Sequence, residues 1–91
     1  MYRIFALVDT DPGKDKAVEK KLLKYDEVVE LHYISGQYDL FAVIEINLHG
    51  KSIFSTVQGI TQKFVQKIRM IDGVRDTNTI VPFLSLTKQA D

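Results

Sequence analysis

Cysteine is absent from this chain. Disulfides, thiolate nucleophiles and cysteine-ligated zinc are thereby excluded, and the composition suits a reducing, cytoplasmic setting. Net charge is missing as well, because 12 lysines and arginines balance 12 aspartates and glutamates. A neutral surface lacks the clustered positive field that displaces counterions from phosphates, which argues against non-specific nucleic-acid binding. Long hydrophobic runs are lacking too. No stretch approaches the ~20 apolar residues needed to span a bilayer, and Met1-Tyr2-Arg3 leads straight into a strand-like segment rather than a signal peptide. The expectation is a cytoplasmic protein with no membrane contact. No linker or low-complexity tract interrupts the chain, so residues 1–91 are read as a single domain with an adequate core.

What the chain does contain is an internal echo. Ile4-Phe5-Ala6-Leu7-Val8 returns as Leu40-Phe41-Ala42-Val43-Ile44, and the stretch from Asp26-Glu27-Val28 to Ile34 returns as Asp72-Gly73-Val74 to Ile80. Each copy runs from an apolar stretch through an amphipathic segment to a second alternating stretch. The order is strand, helix, strand, strand, helix, strand, which is the α+β ferredoxin-like βαββαβ pattern with a four-stranded antiparallel sheet.

Local signals refine this outline. The first strand spans Tyr2 to Val8, after which Asp11 is placed to cap a helix with Pro12 at its first position. Val18, Leu22 and Tyr25 form the apolar stripe of that helix, and Lys14, Lys16, Lys20, Lys21 and Lys24 its solvated back. A second helix, roughly Lys51 to Met70, is marked by Ile53, Val57, Ile60, Phe64 and Ile68, widened by Phe54, Thr61 and Val65. Gly73 stands where a left-handed residue ends it.

The turn between the copies is Ser35-Gly36-Gln37-Tyr38-Asp39. Gly36-Gln37 suits a two-residue type II′ hairpin, which pairs Tyr33 with Leu40, Leu31 with Ala42 and Val29 with Ile44. The opposite face then carries His32 beside Phe41, Glu30 beside Val43 and Val28 beside Glu45. Ile4, Ala6 and Val8 join the apolar face, and Arg3, Phe5 and Leu7 the mixed one. Both helices of this fold lie on one side of the sheet, so the mixed face is left uncovered. Phe5, Leu7, Phe41 and Val43 would there form a patch rivalling the ~300–600 Å² that is the largest on a typical monomer. Two chains are therefore expected to pack sheet against sheet, with Arg3, Glu30, His32 and Glu45 at the rim or paired.

Other motifs carry less. His49-Gly50-Lys51-Ser52 follows a strand and opens a helix, but a phosphate loop needs a glycine where Glu45 stands; Ser52 reads as a cap and Gly50 as a turn. His32 and His49 are too far apart in the pattern for a metal site. His32, Glu30 and Asp39 are the candidates for acid–base work, and rim polarity explains the first two with fewer assumptions. No catalytic residue, cofactor or metal is expected. The turn is more suggestive. Gly36 lets another molecule approach bare backbone, Asp39 offers a carboxylate, and Thr77 and Thr79 share one face of the last strand. Such a set suits an amino-acid zwitterion, although Asp39 also suits the capping of a tight turn and the threonines suit an edge strand.

The run Val28-Val29-Glu30-Leu31-His32-Tyr33-Ile34-Ser35-Gly36-Gln37-Tyr38-Asp39-Leu40, followed by Ile71-Asp72-Gly73-Val74-Arg75-Asp76-Thr77-Asn78-Thr79, resembles the effector (RAM) domain of the leucine-responsive regulator family, Lrp/AsnC. The likeness runs from Ile4 to about Leu86. It implies a domain that dimerises by facing sheets and assembles into rings such as octamers, with amino acids bound in crevices between dimers. By this likeness Gly36, Gln37, Tyr38 and Asp39 match the effector-binding turn, Thr77 and Thr79 match hydroxyl positions on the last strand, and Ile34 and Ser35 line the approach. Family regulators carry a preceding helix-turn-helix, whereas here the first strand follows Met1 directly. The expectation is a stand-alone effector module without direct DNA binding, a homodimer forming higher oligomers, which takes a free amino acid and works alone or with full-length regulators. Two alternatives stay open, an assembly partner with an empty crevice and a dimeric α+β barrel enzyme using the cavity between sheets.

Overall fold

A computed structural model describes residues 2–46, 53–82, 84–86 and 88. It contains β1 (Tyr2–Thr10), α1 (Asp15–Leu22), β2 (Val28–Tyr33), β3 (Leu40–Ile46), α2 (Ile53–Arg69) and β4 (Val74–Ile80). The strands form one antiparallel sheet in the order β2-β3-β1-β4. This is the ferredoxin-like arrangement expected from the repeat. The His49-Gly50-Lys51-Ser52 motif lies outside the described residues, as do the side chains of Ile53, Phe54 and Val57. No helix among the described residues is long and apolar enough to cross a membrane.

Period-two alternation explains the core. Ile4, Ala6 and Val8 are wholly buried and pair with Ile44, Ala42 and Leu40, which are buried on the same face. Val18 and Leu22 of α1 and Phe64 and Ile68 of α2 close over them. Tyr25 meets Phe64 edge-on at 5.2 Å between ring centroids, a favoured aromatic geometry. Ile71, just beyond α2, completes the cluster.

Four local expectations are corrected. Asp11-Pro12 does not open the helix. The Lys14 amide donates to the Asp11 carbonyl at 2.9 Å and Gly13 has φ +80°, a turn that delays α1 to Asp15; proline followed by a left-handed glycine favours this turn over a helical start. Tyr25 accordingly lies beyond the helix, in the turn that leads to β2.

The β2–β3 register also departs from strict alternation. Tyr33, His32, Leu31 and Glu30 oppose Leu40, Phe41, Ala42 and Val43, but Val28 then opposes Ile44, leaving Val29 as a bulge. The Val28 amide is tied to the Tyr25 carbonyl at 3.1 Å, and the Glu45 amide donates to the Glu27 carbonyl at 2.8 Å. These bonds turn Val28 inward, 8% exposed, and Val29 outward, 44% exposed. One extra residue thus exchanges the faces of two valines. The connection to β3 is wider than a two-residue hairpin. Ile34 donates to the Asp39 carbonyl at 3.0 Å and encloses the four residues Ser35 to Tyr38.

Candidate functional site

Backbone geometry shapes the β2–β3 loop. Ser35, Gly36 and Gln37 are exposed and Tyr38 is half-buried. Gly36 has φ +112°, and a Cβ built on it would meet nothing within 4 Å. Its need for glycine is conformational, and the space beside it is open to a second molecule.

Asp39 anchors this loop to the end of β1. Its amide donates to the Val8 carbonyl at 3.0 Å. Its Oδ2 accepts the Thr10 amide at 2.9 Å and the Thr10 hydroxyl at 3.0 Å. The Thr10 amide, then the Thr10 hydroxyl, hold the Asp39 carboxyl below the usual aspartate range. The next side chain along, Asp9, takes a two-pronged bond from Arg75 of β4, Nε to Oδ2 at 3.0 Å and Nη2 to Oδ1 at 3.1 Å. That pairing raises the Arg75 guanidinium further. The loop, the end of β1 and the start of β4 are thereby fastened at one end of the sheet.

The threonines are placed differently. Val8 pairs with both Leu40 and Thr77, so Thr77 shares the end of the sheet that carries the loop, on the face covered by helices. Its hydroxyl accepts Arg69 Nε at 3.3 Å. Thr79 pairs with Ala6, two residues further from the loop, and its Oγ1 is buried with no hydrogen-bond partner among the described residues. Within one chain Asp39 of the loop therefore meets Thr10, next to the Asp9–Arg75 pair, rather than a pair of threonine hydroxyls. Sequence reasoning missed Asp9, Thr10 and Arg75. The Asp9-Thr10-Asp11 run ending an apolar strand was their only signal.

The helix-free face is the second feature. Phe5 and Phe41 stack at 5.5 Å between centroids with 21° between planes, and His32 lies 6.1 Å from Phe41. Phe5, Leu7 and Phe41 are half-buried, whereas Val43 is only 4% exposed. The expected patch is smaller for that reason, since Val43 sits on β3 between Phe5 of β1 and Glu30 of β2 and is covered by its neighbours. The polar residues of the face pair with one another. Arg3 donates to Glu45 at 2.7 Å, which raises the Arg3 pKa, and His32 Nε2 lies 2.9 Å from Glu30 Oε1. Register adds Ile80, opposite Phe5, to the same face.

Two surface clefts lie elsewhere. One of about 350 Å³ is lined by Asp26, Glu27, Glu45, Ile46 and Ile60, the other of about 420 Å³ by Lys21, Tyr25, Lys67, Met70, Ile71 and Asp72. Neither is lined by the Ile34–Asp39 loop or by His32 and Glu30. Among the described residues no cluster of three or more histidine, aspartate or glutamate side chains could hold a metal ion. In a single chain the loop is an open surface.

The sequence matches the family model of the Lrp/AsnC ligand binding domain over residues 3–49. The uncharacterized HTH-type transcriptional regulator PH0140 of Pyrococcus horikoshii is 29% identical over 77 residues, covering 85% of this chain and 44% of that protein. The regulatory protein AsnC of Haemophilus influenzae is 33% identical over 64 residues, covering 70% of this chain and 37% of that protein. The chain thus spans less than half the length of either regulator. The crystal structure of FFRP-DM1 superposes with a TM-score of 0.73 at 29% identity, covering 91% of this chain and 100% of that one.

Proposed function

The chain belongs to the Lrp/AsnC ligand binding domain family, and from that membership we propose that it is an effector-sensing and oligomerisation module related to transcription regulators, with a free amino acid as effector. The observation that carries this reading is the Ile34–Asp39 loop, exposed, opened by a left-handed Gly36 and pinned by Asp39 to Thr10. A pinned loop presents its backbone groups in a fixed arrangement, which lowers the ordering cost of binding a small polar ligand. Exposed carbonyls at residues 35–37 suit an ammonium, amides and the Ser35 hydroxyl suit a carboxylate, and the ionised Asp39 favours the ammonium end, Asp9 being already neutralised by Arg75. Ile34 and Tyr38 supply an apolar flank for a side chain. Thr77 and Thr79 enter only where a neighbouring copy, or a shift of β4 against α2, brings them to the ligand.

The helix-free face supports a dimer as the unit of the proposed assembly. Two copies pack Phe5, Leu7 and Phe41 against their counterparts, and such dimers join into rings, octamers being the expected size, with the effector crevice at the loops between dimers. The module acts alone or by co-assembly with full-length regulators. It makes no direct contact with DNA, in keeping with its neutral charge. A catalytic reading has less support, because Glu30 and His32 pair with one another and are about half exposed.

Calorimetry against each common L-amino acid, run beside sedimentation velocity, tests this. The expected result is one or a few amino acids binding with Kd between about 1 μM and 1 mM, together with a change in assembly size, since a crevice shared by two dimers couples binding to association. Asp39→Ala should weaken binding about tenfold or more by releasing the loop, with the dimer intact. Absence of heat with every amino acid and no change in assembly would overturn the sensor reading and leave an assembly partner.

A further inference from the structure

Exposed apolar side chains continue past the end of β4. Ile80, opposite Phe5, is 43% exposed, and beyond it Val81, Leu84 and Leu86 are 43%, 70% and 87% exposed. These residues leave the sheet early. β1 runs on through Ile4, Arg3 and Tyr2 without partners from β4, and Pro82, which has no N–H to donate, follows the last pair by two residues. The segment from Thr77 to Thr87 carries no charged residue.

We propose that Val81, Leu84 and Leu86 form an arm that packs on a second copy of this chain, beside the contact between the two helix-free faces. The inference rests on the facing-sheet reading above and names what completes it. Phe5, Leu7 and Phe41 are already half-buried in their own chain and Val43 is 4% exposed, so the face offers less apolar area than its residue list suggests. A stable interface draws about 800 Å² from each partner. The arm begins at Ile80, on the rim of that face, and carries the most exposed leucines in the described chain, so it adds apolar area where the facing sheets need it. Its own chain offers a poorer seat. The cleft at the end of the sheet where β4 stops is lined by Asp26, Glu27 and Glu45 as well as Ile46 and Ile60, and an uncharged arm laid there would desolvate carboxylates without pairing them.

Sedimentation equilibrium of the full chain carrying Leu84→Ser and Leu86→Ser tests the arm. The dimer Kd is expected to rise about tenfold or more, while far-ultraviolet circular dichroism stays unchanged because both side chains are exposed. Contact is read independently with Leu86→Cys, the sole thiol in the chain, bearing a benzophenone photocrosslinker in a mixture of isotope-labelled and unlabelled protein. Crosslinks joining labelled to unlabelled chains support the arm. Crosslinks confined to single chains, or a double variant that dimerises as tightly as wild type, overturn it. If Phe41→Glu weakens the dimer and the arm variants do not, the arm fails and the facing-sheet dimer stands; a wild-type monomer removes both.

Discussion

Asp39 and Thr10, 29 residues apart in sequence, are joined twice, the carboxylate Oδ2 accepting the Thr10 amide at 2.9 Å and its hydroxyl at 3.0 Å. One side chain thus replaces a missing ladder partner at the end of β1 and holds the β2–β3 loop against it.

Both bonds favour the ionised carboxyl, so the folded Asp39 titrates below its unfolded value of about 3.9. The stabilisation is fully present above that unfolded value and fades as pH falls through the lower folded one. Asp39→Asn removes this dependence. In thermal melts from pH 7 into the acid range, the wild type should lose Tm more steeply than the variant below about pH 4. The Thr10 amide should also exchange faster in the variant. Parallel melting curves, with Thr10 equally protected, would refute the role given to Asp39.

Gly73 has φ +97°, and a Cβ there would stand 2.7 Å from Lys14 Cβ and 3.1 Å from Val18 Cγ2. Gly73→Ala therefore suffers twice, from left-handed backbone and from collision with the start of α1. The expected loss is about 2–4 kcal/mol. Gly36→Ala, with open space around its Cβ, should lose only the backbone part, about 1–2 kcal/mol. Urea unfolding of the two variants checks the order, and equal losses would show that α1 yields without cost.

The element order and the two faces of β1 were legible because period-two alternation in Ile4-Phe5-Ala6-Leu7-Val8 survives into the structure unaltered. The Val29 bulge was not, since adding one residue to a strand leaves its composition unchanged and the valine pair reads equally well either way. Asp11-Pro12-Gly13 supports a helix start or a turn, and the long-range bond from the Asp11 amide to the Gly73 carbonyl at 2.8 Å fixes where that turn sits. The loop was found at the right place, but the partner of Asp39 could not be read locally. Ile80 was missed for a similar reason, because its face depends on the β1–β4 register, which shifts at Asp9/Thr10.

Tyr33 donates its hydroxyl to Glu19 Oε1 at 2.6 Å, while Lys16 Nζ lies 5.5 Å from the ring centroid. Donation to the carboxylate, with lesser contributions from desolvation and from the negative charge of Glu19, pushes the phenol up to about 12. A raised phenol stabilises the fold below its unfolded value, about 10, and that contribution is lost as pH rises toward 12. Glu19→Gln should return the Tyr33 transition toward the ordinary range in ultraviolet titration. An unshifted transition would mean the pair does not persist in solution.

The proposed facing-sheet dimer turns on Phe41, which stacks on Phe5 and borders His32 on the helix-free face. Phe41→Glu places a carboxylate where an apolar contact between copies is expected, and a charge there loses hydration without gaining a partner. The dimer Kd should rise about a hundredfold or more. The monomer should still fold, because Phe41 lies opposite the buried Leu40–Ala42–Ile44 face and helix packing does not involve it. Arg3→Ala, which breaks an exposed ion pair with Glu45, should change the same Kd by about fivefold or less. Sedimentation equilibrium at several concentrations measures both variants. Strong sensitivity to Arg3 with indifference to Phe41 would assign the interface to the charged rim, and a wild-type chain that stays monomeric at micromolar concentration would leave the helix-free face to a different partner.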